Sequence, residues 1–492
     1  MDEIKTHSRK TKVFALSIGQ GTASVIHLLT VMVMARVLTA KDLATYRQTV
    51  LVFMFVAPLL QLGVTQGIYY FLPKETERIR GRVVDALVVL AIMGLLFGVV
   101  IGVGGNHYLA GEFSNPQVAE LLLWMIPFAI ITLPATLIAP VLVMRERVLL
   151  SSIFSVIRQL LIGACTLIPL LVWTNPEAPL IGHVLAGVIT GILAIVVMIQ
   201  ATPRGAARPA FAEIKELVWF SFPLGVASMV GAISMKLGNL IVSVSASPEI
   251  FAVFSMGARE LPFIAIVTGA ITSVLLPEMT RSFERNEARK ALNLWKLAAI
   301  KASLVLFPVT AFLMVFAEDL VVLLFSSKYI ASTGVFMVFL AMLPLRVFSF
   351  GSILVSAGAS RFILWRTVIW AVVCFGLSLA FMQVFGIIGV ALGILISQYL
   401  LAFPLNLWKI KNVTDSSYWK VVPIKELGLI MALACLPLLV AIPASLLLGA
   451  PWSLFLGAAI YGVLLAILYG VTGQVSLKGL HERIRRRLTS AL

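Results

Sequence analysis

Two basic residues lie within long apolar stretches near the middle of the chain. Lys236 belongs to a predicted helix at 217–244. Arg259 belongs to the next predicted helix, at 250–276. A lysine or arginine at the centre of a bilayer costs about 2.5–3.5 kcal/mol on insertion scales, so two of them on neighbouring helices are expected to face a shared interior. Asn239 follows the same helix face as Lys236, and together these residues predict a cationic cavity that binds an anion.

Three more residues are candidates for the same cavity. His27 lies on a polar stripe of the first predicted helix, Arg47 near the outer end of the second, and Arg346 near the middle of the tenth. Each could instead form a helix–helix hydrogen bond or extend its polar end towards the membrane surface. Glu260 directly follows Arg259 and could serve only to neutralise it. The predicted substrate-binding residues are Lys236, Arg259, Arg346, His27, Arg47 and Asn239.

The composition is that of a membrane protein. Hydrophobic residues make up 60% of the 492 residues and charged residues only 12%, about half the charged fraction of a typical soluble protein. The formal net charge of +16 does not indicate nucleic-acid binding, because the aromatic residues lie inside apolar runs and the basic residues of membrane proteins collect in cytoplasmic loops. The sequence therefore predicts an all-α polytopic membrane protein that does not bind nucleic acid.

Apolar segments of about 20–27 residues predict the transmembrane helices. The first is too long for the apolar core of a signal peptide, so it is expected to remain as a span. The fourteen predicted transmembrane helices are 13–37, 46–72, 83–105, 118–143, 149–173, 179–200, 217–244, 250–276, 295–317, 331–357, 362–384, 387–408, 426–448 and 452–473.

Basic residues are distributed unevenly between the two sides of the membrane. If the N-terminus is cytoplasmic, the loops opposite the cytoplasm and their helix ends hold only Arg36, Lys41, Arg47 and Lys328. This asymmetry is typical of cytoplasmic loops enriched in lysine and arginine. We therefore predict a multi-pass membrane protein with both termini in the cytoplasm. The basic segment at 477–492 is expected to contact anionic membrane lipid.

The chain contains an internal repeat. Asp42 lies at the start of the second predicted helix and Glu249 at the start of the eighth, and both helices end in a Leu-Pro pair followed by a basic loop. An even number of helices separates the two units, so the two halves run in the same direction across the membrane. This predicts two parallel six-helix bundles followed by two peripheral helices, with domains at 1–200, 201–411 and 412–492.

Motifs of enzymes and metal sites are missing from the sequence. The five histidines lack metal-ligand spacing, and no glycine-rich phosphate loop with a lysine occurs. Cys165, Cys374 and Cys435 are isolated in apolar segments, so they indicate neither a disulfide framework nor a metal motif. We therefore expect a protein that is not an enzyme and that uses neither a cofactor nor a metal site.

Four short segments carry a resemblance to a known family. They are ARVLTAKDLATY at 35–46, ARELP at 258–262, LPEM at 276–279 and LFSSKY at 324–329. With these segments the chain resembles the polysaccharide-transport branch of the multidrug/oligosaccharidyl-lipid/polysaccharide (MOP) flippase superfamily, which includes O-antigen flippases and the lipid II flippase. The resemblance extends over nearly the whole chain in order and layout.

The resemblance implies a fold and a function. Proteins of this kind have a MATE-like fold and move undecaprenyl-diphosphate-linked saccharides from the cytoplasmic to the outer leaflet by alternating access. Their cationic cavity lies between two bundles, so Lys236 and Arg259 would bind the diphosphate. The first helix of this chain has no Asp or Glu in the membrane, unlike cation-coupled drug exporters of the superfamily. The coupling cation, a proton or a sodium ion, therefore stays open.

The resemblance therefore implies a flippase of a bacterial inner membrane that moves lipid-linked oligosaccharide diphosphate for surface polysaccharide biosynthesis. A diphosphate carries about two negative charges and needs desolvated cationic partners in a low-dielectric interior. Its expected partners include a polysaccharide polymerase or glycosyltransferases. Two alternatives remain at this point: a drug or metabolite exporter of the same fold, and a non-transporting subunit for polysaccharide assembly.

Overall fold

The protein is a bundle of long helices. The computed structural model describes residues 2–75, 77–205, 207–259, 261–445 and 452–472, and within these ranges it contains no β-strand. Helices suit an apolar chain in a bilayer because they satisfy every backbone N–H and C=O within the segment. The α-helices of the first half are α1 (Asp2–Val37), α2 (Ala40–Leu60), α3 (Val64–Phe71), α4 (Ile79–Val100), α5 (Asn106–Glu112), α6 (Gln117–Ala135), α7 (Ile138–Met144), α8 (Val148–Leu167) and α9 (Glu177–Ala201).

The rest of the described chain continues in the same way. The α-helices of the second half are α10 (Phe211–Ser245), α11 (Pro248–Gly257), α12 (Pro262–Glu284), α13 (Ala288–Val315), α14 (Ala317–Phe325), α15 (Thr333–Leu340), α16 (Leu343–Arg346), α17 (Phe350–Ser356), α18 (Ser360–Ser397) and α19 (Phe403–Thr414). The C-terminal α-helices are α20 (Tyr418–Val421), α21 (Ile424–Cys435), α22 (Leu438–Ser445) and α23 (Trp452–Val471).

Several spans predicted to be continuous are divided into shorter helices. The span at 46–72 divides into α2 and α3, and the span at 250–276 divides into α11 and α12. The span at 331–357 divides into α15, α16 and α17. Gly63, at the first break, has a φ of 72°, which glycine adopts without the strain of a side chain. Pro262 opens α12 and has no N–H to continue the preceding helix.

One long helix is in fact a hairpin. The backbone of α18 leaves the helical conformation at Gly386, where φ is 57° and ψ is −140°. Ser378 Oγ donates a hydrogen bond to the carbonyl of Val390 at 3.2 Å, although the two residues are 12 positions apart. In a straight helix that separation would be about 18 Å. The two arms of α18 therefore run antiparallel, as the separate predicted spans at 362–384 and 387–408 require.

The described helices confirm an all-α polytopic membrane protein. Twelve segments of the described chain are long and apolar enough to span a bilayer, and one of them, Ser360–Thr414, contains the hairpin at Gly386. Large apolar side chains such as Val103, Leu400 and Trp365 are 79%, 76% and 67% exposed, as expected for a surface that faces lipid. The exact number of fourteen spans stays a prediction.

The two halves of the chain contact each other along several helices. In the described chain, α1 lies against α12, α2 against α11, and α10 against α2, α3 and α4. The C-terminal helices pack on the second half, where Tyr461 Oη donates to the carbonyls of Pro308 and Ala434 at 3.0 and 2.8 Å. The division into domains at 1–200, 201–411 and 412–492 stays a prediction.

Two predictions concern residues that the structure does not describe, and one prediction about loops is wrong. Glu260 and the basic segment at 477–492 lie outside the described residues. The connections predicted at 106–117 and 317–330 contain the helices α5 and α14. These helices are short, so their apolar length did not distinguish them from loops.

Candidate substrate cavity

A cavity of about 630 Å³ lies within the second half of the chain, not between the two halves, where the resemblance places it. Its walls come from α10, α11, α12 and α15 to α19. Four basic side chains line it, and the described lining residues include no Asp or Glu. The basic residues are Lys236, Arg259, Arg346 and Arg366. A low-dielectric space with several positive charges is suited to an anionic ligand.

Helix α10 places Lys236 and Asn239 on the cavity wall, as their spacing predicts. Residues three apart share a helix face, and both side chains line the cavity. Gly238 allows close packing, because a Cβ there would lie 2.8 Å from Ile394 Cδ1 and 3.2 Å from the ring of Phe254. The Oδ1 atom of Asn239 is buried and accepts no hydrogen bond within the described chain.

Arg259 lies in the break between α11 and α12, so the prediction that it continues an unbroken helix face is wrong. Gly257, at the end of α11, lies so close to α15 that a Cβ would be 2.6 Å from the carbonyl oxygen of Ser332. After the break, Pro262 starts a new helix. Arg259 is half-buried and lines the cavity, and its Nε has no hydrogen-bond partner among the described residues.

Arg346 lies at the end of the short helix α16, where the tenth predicted span is interrupted. The prediction that Arg346 lies within this span is correct. The sequence does not predict the separate four-residue helix that ends at Arg346. Its side chain is exposed and lines the cavity. Arg346 therefore lines the same cavity as Lys236 and Arg259.

Arg47 is not part of the cavity lining of the described chain. Its Nη1 donates to the carbonyl of Ser255 at 2.7 Å and to Ser255 Oγ at 2.6 Å. Ser255 lies in α11, whereas Arg47 lies in α2, so the contact joins the two halves. The prediction that Arg47 binds substrate is not tested by this geometry.

His27 is exposed on α1 and does not line the cavity. It nevertheless lies close enough to interact electrostatically with Arg259, Arg47 and Lys236. His27 therefore lies near basic residues of both halves.

Sequence reasoning missed part of the cavity wall. Arg366 and Trp370, in the first arm of α18, line the cavity together with Asn406 of α19. Arg366 lies four residues after the start of the predicted span at 362–384, where a basic residue is expected to extend towards the membrane surface. Its spacing of four from Trp370 is a signal that both share one helix face, but only the fold shows which face.

Part of the cavity wall is aromatic. Phe348 and Phe350 line the cavity and stack on each other with a centroid distance of 5.5 Å. Trp295 does not line the cavity but packs against Phe348, with a distance of 5.5 Å between the ring centroids. Phe403 completes the group at 5.7 Å from Phe348. The cavity therefore offers both charged groups and aromatic surface to a ligand.

Solved structures of several membrane transporters share this fold. An inward-closed structure of the lipid II flippase MurJ superposes with a TM-score of 0.72 at 14% identity, covering 92% of this chain and 98% of that one. An inward-facing multidrug resistance MATE family transporter of the MOP superfamily superposes with a TM-score of 0.62 at 16% identity, covering 82% of this chain and 99% of that one. The fold is thus that of the MOP superfamily.

A MOP superfamily transporter from Pyrococcus furiosus shares the fold as well, with a TM-score of 0.59 at 17% identity over 83% of this chain and 97% of that one. No curated protein matches the sequence. A family model described as polysaccharide biosynthesis protein matches residues 33–333. The chain belongs to this family of polysaccharide biosynthesis proteins, which confirms the predicted resemblance.

Proposed function

We propose that this protein is a flippase that moves polyprenyl-diphosphate-linked oligosaccharide across the bacterial inner membrane by alternating access, for surface polysaccharide biosynthesis. The observation that carries the proposal is the shared cavity of Lys236, Asn239 and Arg259, whose described lining is basic and contains no carboxylate. Membership of the polysaccharide biosynthesis family supports the substrate class. The fold in common with a lipid II flippase supports the transport mode.

The cavity suits the two chemically different parts of such a substrate. A diphosphate that leaves water loses strong hydration, and charge-assisted hydrogen bonds from Lys236 and Arg259 would replace it. The fork of Arg259 can bind two phosphate oxygens at once. The aromatic wall around Phe348 would contact the apolar faces of sugar rings.

Contacts between the halves support an alternating-access cycle. Arg47 of α2 is bonded to Ser255 of α11, close to the ends of the helices that are predicted to face outward. Release to the outside requires the halves to separate there, and these hydrogen bonds would have to break. Arg259 lies two residues beyond the end of α11. Binding energy from a diphosphate at Arg259 would therefore bias that equilibrium.

The partners in this proposal follow from the substrate. Glycosyltransferases would supply the lipid-linked oligosaccharide on the cytoplasmic side, and a polysaccharide polymerase would consume it outside. Anionic lipid would contact the basic cytoplasmic segments, and a proton or a sodium ion would serve as the coupling cation. A cationic drug is a poor fit, because four basic side chains line the cavity and would repel it.

Substitution of Arg259 tests the proposal. Arg259→Ala should abolish complementation of a flippase-deficient strain and cause lipid-linked saccharide to accumulate on the cytoplasmic leaflet. Arg259→Lys should rescue only in part, because an ammonium group cannot replace the two-pronged guanidinium contact. Arg289→Ala is the control, since Arg289 is exposed and lies outside the cavity. All proteins are compared at equal amounts in the membrane.

A double variant separates binding from charge neutralisation. If Arg259 only neutralises Glu260, removing both charges should restore the activity that Arg259→Ala lost. Complementation by Arg259→Ala/Glu260→Ala at the level of the parent protein would refute the proposal. Continued loss of activity in the double variant supports it.

A further inference from the structure

Arg366 is a half-buried arginine whose hydrogen-bond partners in the described chain are neutral. Its Nη1 donates to Asn406 Oδ1 at 3.0 Å, and its Nη2 donates to Thr367 Oγ1 at 3.1 Å. Its Nε is buried without a hydrogen-bond partner among the described residues. No ion pair of the described chain involves this guanidinium. A desolvated positive charge with neutral partners is costly, and an anionic ligand would offset that cost.

A second donor without a partner lies one helical turn away. Trp370 Nε1 is buried and donates no hydrogen bond within the described residues. Arg366 and Trp370 are four residues apart on the first arm of α18, so they share a helix face. Gln398, from the π-helical turn Gln398–Ala402, and Asn406, from α19, line the same cavity. The hairpin at Gly386 brings these groups together.

These four side chains have the chemistry of a sugar site. A guanidinium binds a carboxylate with two parallel N–H···O bonds. An indole combines a large apolar face with a single N–H donor, which matches a sugar ring that has C–H groups on its face and hydroxyls at its edge. The amides of Gln398 and Asn406 can both donate to and accept from hydroxyls.

We infer that Arg366, Trp370, Gln398 and Asn406 form a subsite for a carboxylate-bearing sugar of the transported oligosaccharide, separate from the diphosphate residues Lys236 and Arg259. The inference rests on the proposed function and narrows its substrate to an acidic glycan. A neutral glycan would leave Arg366 without a counter-charge once the cavity closes around the substrate.

A lipid headgroup is the other source of an anion at this place. Arg366 is only six residues from the start of α18 at Ser360, or about 9 Å along the helix axis. A phosphate of an anionic lipid would bind the same guanidinium. A useful test must therefore distinguish an acidic sugar from a lipid phosphate.

Binding of three soluble probes to the purified full-length protein in neutral detergent makes this distinction. The probes are trigalacturonic acid, its methyl ester and inorganic pyrophosphate, measured by isothermal titration. The parent protein should bind the acid at least about tenfold more tightly than the ester, a difference of about 1.4 kcal/mol. Arg366→Gln should remove this preference, and Arg366→Lys should retain part of it. Arg361→Gln, an exposed residue on the same helix outside the cavity, should keep the preference unchanged.

The outcomes for the two sites are independent. Arg259→Gln should lose pyrophosphate binding and keep the preference for the acid. Equal binding of acid and ester by the parent protein, or a preference that survives in Arg366→Gln, would overturn the acidic-sugar subsite and leave the proposed function standing. Failure of the parent protein to bind pyrophosphate would count against the proposed function alone.

Native mass spectrometry of the same variants tests the lipid alternative. If Arg366→Gln loses bound phosphatidylglycerol while acid and ester bind the parent protein equally, Arg366 binds a headgroup and the inference is wrong. If phosphatidylglycerol retention is the same in the parent protein and in Arg366→Gln while the preference for the acid disappears, the acidic-sugar subsite is supported.

Discussion

Lys328 donates a hydrogen bond to the carbonyl of Arg36, and both side chains donate across the two halves of the protein. The guanidinium of Arg36, in the last turn of α1, donates to the carbonyls of Leu323 and Leu324 in α14, the latter at 2.6 Å. Lys328 Nζ donates to the carbonyls of Arg36 and Leu38 at 3.0 Å each. Each cation thus caps the C-terminal carbonyls of a helix in the other half, where the helix dipole favours positive charge.

Removing one of these cations should favour opening of the halves at this end. Lys328→Met or Arg36→Gln is expected to shift the equilibrium by about 1–2 kcal/mol, roughly five- to thirtyfold in population. Spin labels at His107 and Ser247, which are both exposed and lie in different halves, should report a larger population of long distances. Lys41→Gln, an exposed neighbour, is the control. Distance distributions identical to the parent in both variants would contradict the prediction.

Gly63 and Gly225 let the two halves approach backbone to backbone. A Cβ on Gly225 would collide with the amide of Gly63 and the carbonyl carbon of Leu62. Gly225→Ala is therefore expected to lower the thermal midpoint, because overpacking costs about 1–3 kcal/mol and outweighs the roughly 1 kcal/mol that alanine gains in a helix. Gly231→Ala lies on the same helix and has no neighbouring atom within 4 Å of the added methyl. It should leave the midpoint unchanged or raise it, and equal behaviour of the two variants would argue against a close crossing.

Asp85 anchors the start of α10 to α4. The carboxylate is buried, accepts a hydrogen bond from the N–H of Ala210 at 2.9 Å and pairs with Arg78 Nη1 at 3.3 Å. Asp85→Asn removes the charge, and hydrogen bonds to charged groups contribute about 1.5–3 kcal/mol each. A lower thermal midpoint in detergent is expected. Glu120→Gln, at an exposed carboxylate, should not change it, and a midpoint for Asp85→Asn equal to that of the parent would show that the charge is unimportant.

The orientation in the membrane can be tested by cysteine labelling. In a variant without native cysteines, single cysteines at Ser247 and Ser327 should react with a membrane-impermeant thiol reagent in intact cells. Cysteines at Arg285 and Asn412 should react only after the membrane is permeabilised. These four positions are exposed. Asn106 also lies in a connection predicted to be outside, but it is only 5% exposed and is therefore not a suitable position for labelling. The reverse pattern would invert the predicted topology.

Much of this architecture could be predicted from the sequence because it depends on single segments. The length of each apolar stretch decides whether it can cross a bilayer, and the distribution of basic residues predicts its direction. The three-residue spacing of Lys236 and Asn239 likewise places them on one helix face, and both line the cavity. Local periodicity sufficed there because α10 is unbroken between them.

Tertiary structure decided what depends on distant partners. Arg259 and Arg346 lie at helix breaks, which the apolar length of a segment does not reveal. A break is tolerated because neighbouring helices satisfy the backbone groups that lose their hydrogen bonds there. Arg47 contacts Ser255, 208 residues away, instead of lining the cavity. In the sequence, Arg366 cannot be distinguished from other basic residues near the end of a span. Only the fold, with the hairpin of α18, shows that Arg366 lines the cavity. A sequence pattern reports the energetics of one segment in lipid, whereas the charge environment of a buried side chain is set by whichever helices pack around it.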